Sequence, residues 1–213
     1  LFREQNITIS QQLSIARQFG SLENHLVPSD AHPDFPQIYV LSNIVKDGKL
    51  IGTPPTRQSG AWHSDYAYKR EPASVSLFCT KVTPKKGGNT IFANMYAAYE
   101  ALPYAMKTRV EGLKWRTSAE KRHVLLYPGK NISKEELAKF PDITHPIVRT
   151  HPLNGRKALF LGMSDVNSCE IVNLPVEEGQ GLLTELRAFA TGPRFIYSHF
   201  WRVGDAMLWD NRA

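Results

Sequence analysis

Residues 60–68 contain a histidine and a carboxylate two positions apart, His63 and Asp65, among small and aromatic residues. This composition is typical of a β-strand, and alternate side chains of a strand project from the same face. We therefore expect the His63 imidazole and the Asp65 carboxylate to lie close together, as adjacent ligands of one metal ion. With a second histidine from a distant part of the chain, they would form the facial triad of non-haem Fe(II) oxygenases, which leaves coordination positions open.

The same two residues also have a purely structural explanation. His63 could form a hydrogen bond at a strand end, and Asp65 could open a turn. The His-x-Asp pattern is short and common, so on its own it favours the structural explanation. The choice between the two depends on the rest of the chain.

Length and composition describe one ordinary globular domain. The chain has 213 residues, of which 42% are hydrophobic and 22% are charged, and such a chain can bury a substantial core. It has no apolar run long enough to span a bilayer, so we expect no membrane partner. Its two cysteines, Cys79 and Cys169, cannot form a disulfide framework, and this favours a reducing, cytoplasmic location.

The chain is basic, with a formal net charge of +6. The basic residues are scattered, and the longest clusters are as short as Lys85-Lys86 and 121–123. A small anionic organic substrate explains this charge as well as a nucleic acid does, so we expect the former and no nucleic-acid partner. Self-association into a homo-oligomer stays open.

The order of predicted elements indicates a β-rich sandwich or barrel with helices at its periphery. Thr8-Ile9-Ser10-Gln11 is a capping-box pattern and predicts the first helix, and 175–190 predicts the longest one. Asp47-Gly48 predicts the turn of a β-hairpin. Residues 114–143 are the least regular stretch, with one short helix predicted at 133–139, and a long irregular segment of this kind is typical of a mobile lid.

Several motifs follow one another in a defined order over nearly the whole chain. The main ones are Phe2-Arg3-Glu4-Gln5, Trp62-His63-Ser64-Asp65, Gly87-Gly88-Asn89-Thr90, His145-Pro146-Ile147-Val148-Arg149-Thr150-His151-Pro152, Trp201-Arg202-Val203-Gly204-Asp205 and Trp209-Asp210-Asn211-Arg212-Ala213. As an ordered set they resemble the taurine dioxygenase/TfdA-type family of Fe(II)- and 2-oxoglutarate-dependent dioxygenases. The resemblance implies a mainly β (α+β) fold, a double-stranded β-helix (jelly-roll) core with flanking helices. It also implies that 1–213 is a single domain of this type, lacking its N-terminal strand or strands and its C-terminal segment.

The resemblance assigns roles to individual residues. His63 and Asp65 correspond to the first two iron ligands, and as such they are the catalytic pair. Thr90 corresponds to a threonine whose hydroxyl binds a carboxylate of 2-oxoglutarate. His25 and Tyr68 correspond to substrate-binding positions. The implied cofactors are Fe(II), 2-oxoglutarate as cosubstrate, and O₂.

The third iron ligand is a histidine that the resemblance implies beyond Ala213, followed by the arginine that pairs with the far carboxylate of 2-oxoglutarate. His199 is close to the C-terminal strand, but it corresponds to a position before the Trp-Arg-x-Gly-Asp motif and is not expected to bind iron. His145 and His151 correspond to residues of the scaffold.

The implied reaction couples decarboxylation of 2-oxoglutarate, to succinate and CO₂, with hydroxylation of a small anionic substrate. Because Asp65 keeps a carboxylate where halogenating relatives have a small residue, the resemblance implies hydroxylation. A sulfonate, a sulfate ester or an aryloxyalkanoate would each fit, and departures from the family around His25 argue against taurine itself. The alternative is a non-catalytic jelly-roll that binds a ligand and has an incomplete metal site, and a nucleic-acid-binding domain is a third, weaker hypothesis.

Overall fold

The computed structural model describes residues 1–24, 31–54, 61–118, 120–121, 133, 135, 141–162 and 169–213. These ranges contain α-helices and short β-strands. The α-helices are α1 (Ile9–Arg17), α2 (Met95–Glu100), α3 (Tyr104–Val110) and α4 (Val176–Ala190), and a 3₁₀ turn covers Pro193–Phe195. No helix within these ranges is both long enough and apolar enough to cross a membrane.

The strands are short and pair in antiparallel fashion. They are β1 (Ala31–His32), β2 (Phe35–Tyr39), β3 (Val45–Lys46), β4 (Lys49–Leu50), β5 (Val75–Cys79), β6 (Thr90–Ala93), β7 (Lys114–Thr117), β8 (Ile143–Pro146), β9 (Val148–Thr150), β10 (Lys157–Leu159), β11 (Cys169–Ile171), β12 (Ile196–His199) and β13 (Ala206–Asp210). Strand β7 is the centre of a three-stranded sheet in the order β11-β7-β8, and the remaining strands form the pairs β1-β2, β3-β4, β5-β13, β6-β12 and β9-β10. The observed fold is thus mixed helix and strand, and the described strands form no closed barrel.

The chain is divided into two compact units built from interleaved segments. The first unit contains Leu1–Trp62, Val75–Lys86 and Trp201–Trp209, and the second contains His63–Ser74, Gly87–Phe200 and Asp210–Ala213. His63 and Asp65 therefore belong to the second unit, together with the residues after Trp209.

The first unit contains the predicted N-terminal helix and hairpin. The capping box is formed as predicted, because the Gln11 N–H donates to the Thr8 hydroxyl and the Thr8 N–H donates to the Gln11 side chain. In the β3-β4 hairpin, Asp47 and Gly48 have φ values of 50° and 73°, as a two-residue turn of type I′ requires. Both predictions are confirmed.

The core of the second unit forms around Trp115. This side chain is fully buried, and its indole N–H donates to the Phe160 carbonyl at 2.7 Å. Helix α4 adds a stripe of fully buried leucines, Leu182, Leu183 and Leu186. Each such side chain contributes about 1.5–3 kcal/mol by leaving water, so this core stabilises the second unit, to which His63 and Asp65 belong.

The prediction that residues 114–143 are irregular is wrong at both ends of that range. Lys114–Thr117 is the central strand of the three-stranded sheet, and alternate residues of it are buried. Ile143, at the other end, begins the neighbouring strand β8. The helix predicted at 133–139 lies almost entirely outside the described residues.

Candidate metal centre

His63 and Asp65 lie in a series of tight turns, and the prediction of a β-strand at this point is wrong. The Ala67 N–H donates to the Ser64 carbonyl at 3.3 Å, and the Lys69 N–H donates to the Tyr66 carbonyl at 2.8 Å. Tyr66 has a φ of 55°, in the left-handed region that a strand residue does not adopt. Ala67, within these turns, is fully buried. Its side chain is only a methyl group, and this leaves room for the chain to turn sharply there.

The turns nevertheless bring the two predicted ligands together. The Nε2 atom of His63 lies 3.5 Å from Oδ1 of Asp65. The two side chains are 41% and 28% exposed, so an ion from solvent can reach both. The two side chains are close together, as expected, but tight turns bring them together and not the alternation of side chains along a strand.

The pair fits two positions on a divalent metal ion. Metal ions bind imidazole nitrogen and carboxylate oxygen at roughly 2.0–2.2 Å, so one ion can contact two atoms that are up to about 4 Å apart. The observed separation is 3.5 Å. Within the described parts of the chain, no third histidine, cysteine or carboxylate completes a cluster of three.

Both main-chain polar groups of Asp65 form hydrogen bonds. Its carbonyl accepts a hydrogen bond from the Ala73 N–H at 3.3 Å. Its N–H donates to Oδ1 of Asn211 at 3.3 Å. Asn211 in turn donates its own backbone N–H to the Ser74 carbonyl at 2.9 Å. The segment 65–74, which we call the Asp65 loop, is thus closed on itself and attached to Asn211.

His145 fixes the same loop from another side. Its Nε2 lies 3.1 Å from the Ala67 carbonyl oxygen and 2.9 Å from the Lys69 carbonyl oxygen. Carbonyls only accept, so Nε2 carries the proton. The ring packs against Trp115, with centroids 5.0 Å apart. Burial lowers the pKa of His145, against the opposing effect of its hydrogen bond to Lys69. His145 therefore acts as a neutral scaffold residue, in the role that was expected for it.

A second buried histidine belongs to a charge cluster on the last strand. His151 Nε2 lies 3.0 Å from Oδ2 of Asp210, and the Arg212 guanidinium donates to both Asp210 oxygens at 2.8 and 2.7 Å. The Arg212 N–H adds a bond of 2.9 Å to Oδ1. Burial of Asp210 raises its pKa, but the bonds from Arg212 and His151 outweigh this effect and lower the pKa to about 2. We call Asp210, Arg212 and His151 the Asp210 clamp.

Thr90 and His199 are brought opposite each other by the pairing of β6 with β12. Directly opposed residues of antiparallel strands have Cβ atoms about 4.5–5.5 Å apart. Thr90 is half-buried, whereas His199 is fully buried and its Nδ1 lies 3.0 Å from the Tyr197 hydroxyl. His199 thus belongs to a different strand pair from the turn that holds His63 and Asp65.

Comparison with known proteins identifies the family. The chain matches the family described as taurine catabolism dioxygenase TauD, TfdA family, over residues 1–213. The chain belongs to the TauD/TfdA family. It is 36% identical over its whole length to the alpha-ketoglutarate-dependent 2,4-dichlorophenoxyacetate dioxygenase of Cupriavidus pinatubonensis, covering 76% of that protein. It is 35% identical, again over its whole length, to the (S)-phenoxypropionate/alpha-ketoglutarate-dioxygenase of Sphingobium herbicidovorans, covering 73% of it.

A solved TauD/TfdA-type structure supports the same assignment. This structure is the crystal structure of AAD-2 in complex with Mn(II) and N-oxalylglycine. The alignment covers 98% of this chain and 72% of the AAD-2 chain, with a TM-score of 0.78 and 34% sequence identity. The chain is accordingly a 2-oxoglutarate-dependent non-haem iron dioxygenase, and Fe(II), 2-oxoglutarate and O₂ are the cofactors of its family.

Of the two substrate positions assigned from the TauD/TfdA resemblance, only Tyr68 lies among the described residues. Tyr68 lies in the same turn as Asp65, with its ring centroid 5.7 Å from that of Tyr66. His25 lies outside the described residues. The Asp210 clamp and Asn211 were not predicted as parts of the site. Their signals in the sequence are the Trp-Asp-Asn-Arg motif and, for His151, the motif at 145–152. Neither motif tells which residues its side chains contact.

Proposed function

We propose that this TauD/TfdA-type enzyme hydroxylates a small anionic substrate while converting 2-oxoglutarate to succinate and CO₂. The observation that carries the proposal is the convergence of His63 Nε2 and Asp65 Oδ1 at 3.5 Å on an accessible turn. The match to the family over residues 1–213 supports a single TauD/TfdA-like domain with a jelly-roll core, of which the described strand pairs would form part.

In this proposal His63 and Asp65 hold the iron, and a second histidine is the third ligand of the triad. Bound iron would supply the activation of O₂ and the oxidation of the substrate C–H bond. The role of the protein is to supply a neutral imidazole and a carboxylate at fixed positions. Thr90 would donate its hydroxyl to a carboxylate of 2-oxoglutarate, which adds a hydrogen bond without adding charge.

We propose an aryloxyalkanoate as the first substrate to test, with Tyr68 and His25 at the substrate. Two relatives that cover this chain fully are named for 2,4-dichlorophenoxyacetate and (S)-phenoxypropionate. The net charge of +6 favours the approach of an anion and of the anionic cosubstrate. A sulfonate and a sulfate ester are the other members of the proposed substrate class.

The test measures succinate release by the full-length protein with Fe(II), 2-oxoglutarate and either an aryloxyacetate or an alkyl sulfate. With one of the two we expect succinate in equal amount to the group that the unstable hydroxylated product releases, a phenol from the aryloxyacetate or sulfate from the alkyl sulfate. The Asp65→Ala variant should lose both products, whereas Asp34→Ala, a matched change at an exposed carboxylate remote in sequence, should keep them. Binding of the substrate without succinate release would support the non-catalytic alternative instead.

A further inference from the structure

The carboxylate of Asp65 is carried by a short loop that hydrogen bonds within it close. Within the Asp65 loop, the Ala73 N–H donates to the Asp65 carbonyl at 3.3 Å and the Lys69 N–H donates to the Tyr66 carbonyl at 2.8 Å. Such a closed loop can still tilt as a unit, and a tilt moves the carboxylate relative to His63. Metal ligands must hold their positions to within a fraction of an ångström for full affinity. Contacts from outside the loop oppose such a tilt. His145 contacts the Ala67 and Lys69 carbonyls in the middle of the loop, and Asn211 contacts its ends.

Asn211 contacts both ends of this loop. Its side-chain Oδ1 accepts the hydrogen bond from the Asp65 N–H at 3.3 Å, and its backbone N–H donates to the Ser74 carbonyl at 2.9 Å. Asn211 is only 7% exposed, so water does not readily replace the bond to Asp65. One residue thus holds the first and the last position of the loop, and together with His145 at the middle of the loop it opposes a tilt of Asp65.

Asn211 is itself immobilised by its two neighbours in sequence. Asp210 on one side accepts from the guanidinium and the backbone N–H of Arg212 on the other, at 2.7–2.9 Å. Oδ2 of Asp210 also lies 3.0 Å from Nε2 of His151, a buried side chain. The Asp210 clamp therefore makes the backbone at Asn211 a rigid support.

We propose that Asn211 is a positioning residue for the metal centre, which sets the affinity for the ion by orienting the peptide unit of Asp65. The proposal rests on the proposed function, because it takes Asp65 as a metal ligand. What the position requires is a hydrogen-bond acceptor at the distance of the asparagine Oδ1. A side chain of the same size without an acceptor would leave the Asp65 N–H unpaired and release the loop. Loss of an outer residue that orients a metal ligand typically weakens metal binding about 10- to 100-fold.

The test measures Mn(II) binding to the metal-free full-length protein by the electron paramagnetic resonance signal of the free ion. Asn211→Leu keeps the size but lacks the acceptor, and we expect its dissociation constant to rise about 10- to 100-fold. Asn211→Asp keeps an acceptor oxygen and should bind at least as tightly as the wild type. Asn94→Ala is the matched control, because Asn94 also accepts a single backbone N–H, from Ala97 at 3.0 Å, but does so at the start of α2.

Amide hydrogen exchange in the metal-free protein gives a readout that does not depend on the metal. Asn211→Leu should speed exchange in the peptide that contains Asp65, and Asn94→Ala should not. If Asn211→Leu does not fold, Asn211→Gln, whose amide lies one methylene further out, takes its place with the same expected direction. The inference is wrong if Asn211→Leu binds Mn(II) like the wild type while Asp65→Ala binds it more weakly, or if Asn94→Ala weakens binding equally. Unchanged binding by Asp65→Ala would instead contradict the proposed function.

Discussion

The Asp210 clamp should contribute measurably to stability, and Asp210→Asn is the change that tests it. The substitution keeps the shape of the side chain but removes its charge. It thereby weakens two side-chain bonds from Arg212, at 2.8 and 2.7 Å, and the 3.0 Å contact with His151. Asparagine also presents an NH₂ group where one carboxylate oxygen accepted a bond, so one donor of Arg212 faces another donor.

The pKa of Asp210 sets the size of the effect. A fall from 3.8 to about 2 corresponds to roughly 2.4 kcal/mol of coupling at 1.36 kcal/mol per unit. The side chain is 33% exposed, so screening by water reduces this to about 1–2 kcal/mol. We expect Asp210→Asn to lower the free energy of unfolding by that amount at neutral pH, as measured by urea denaturation with an unchanged m-value.

The pH dependence separates this mechanism from a general packing defect. Because the pKa of Asp210 is depressed in the folded state, its contribution is present above the unfolded value of 3.8 and is lost as the pH falls towards about 2. The gap between wild type and Asp210→Asn should therefore shrink in acid, to roughly half of its neutral value near pH 3. A gap that stays constant from neutral pH to pH 3 would refute this reasoning, as would an equal loss in Asp34→Asn, a change at an exposed carboxylate.

Three further predictions concern the second unit. Burial lowers the pKa of His145, so on acidification His145 takes up a proton at a higher pH in the unfolded chain than in the folded one. The free energy of unfolding should therefore fall as the pH drops below about 6.5. In urea denaturation, His145→Gln should remove that part of the fall. Gly162 has a φ of 69°, and a Cβ there would meet the Trp115 ring at 2.3 Å, so Gly162→Ala should cost at least ~2 kcal/mol. Gly181 lies in α4 with open space around it, and Gly181→Ala should instead stabilise by roughly 0.5–1 kcal/mol; equal thermal shifts in the two variants would contradict both assignments.

Local signals in the sequence predicted the elements that depend on neighbouring residues. The capping box at Thr8, the Asp47-Gly48 turn and the leucine stripe of the last helix each depend on residues a few positions apart, and the structure contains all three. The family and the pair His63 and Asp65 also came from short motifs. Interactions within a few residues are the ones that a local pattern can report.

The errors arose where contacts between distant residues decided the structure. The stretch around His63 has the composition of a strand, but Tyr66 adopts a positive φ that is unusual for a tyrosine. Strand β7 was missed because it is four residues long and lies among polar residues, and pairing on both sides stabilises it. The bond from Asp65 to Asn211 spans 146 positions, and no local pattern reports such a contact.

The central claim is that His63 and Asp65 bind the iron to which 2-oxoglutarate attaches. The most direct test is an anaerobic titration of the full-length protein with Fe(II) in the presence of 2-oxoglutarate, followed by visible absorption. We predict a weak metal-to-ligand charge-transfer band that saturates at one Fe(II) per chain and is absent from His63→Ala and Asp65→Ala. A band of full intensity in either variant, or no band in the wild type, would contradict the assignment.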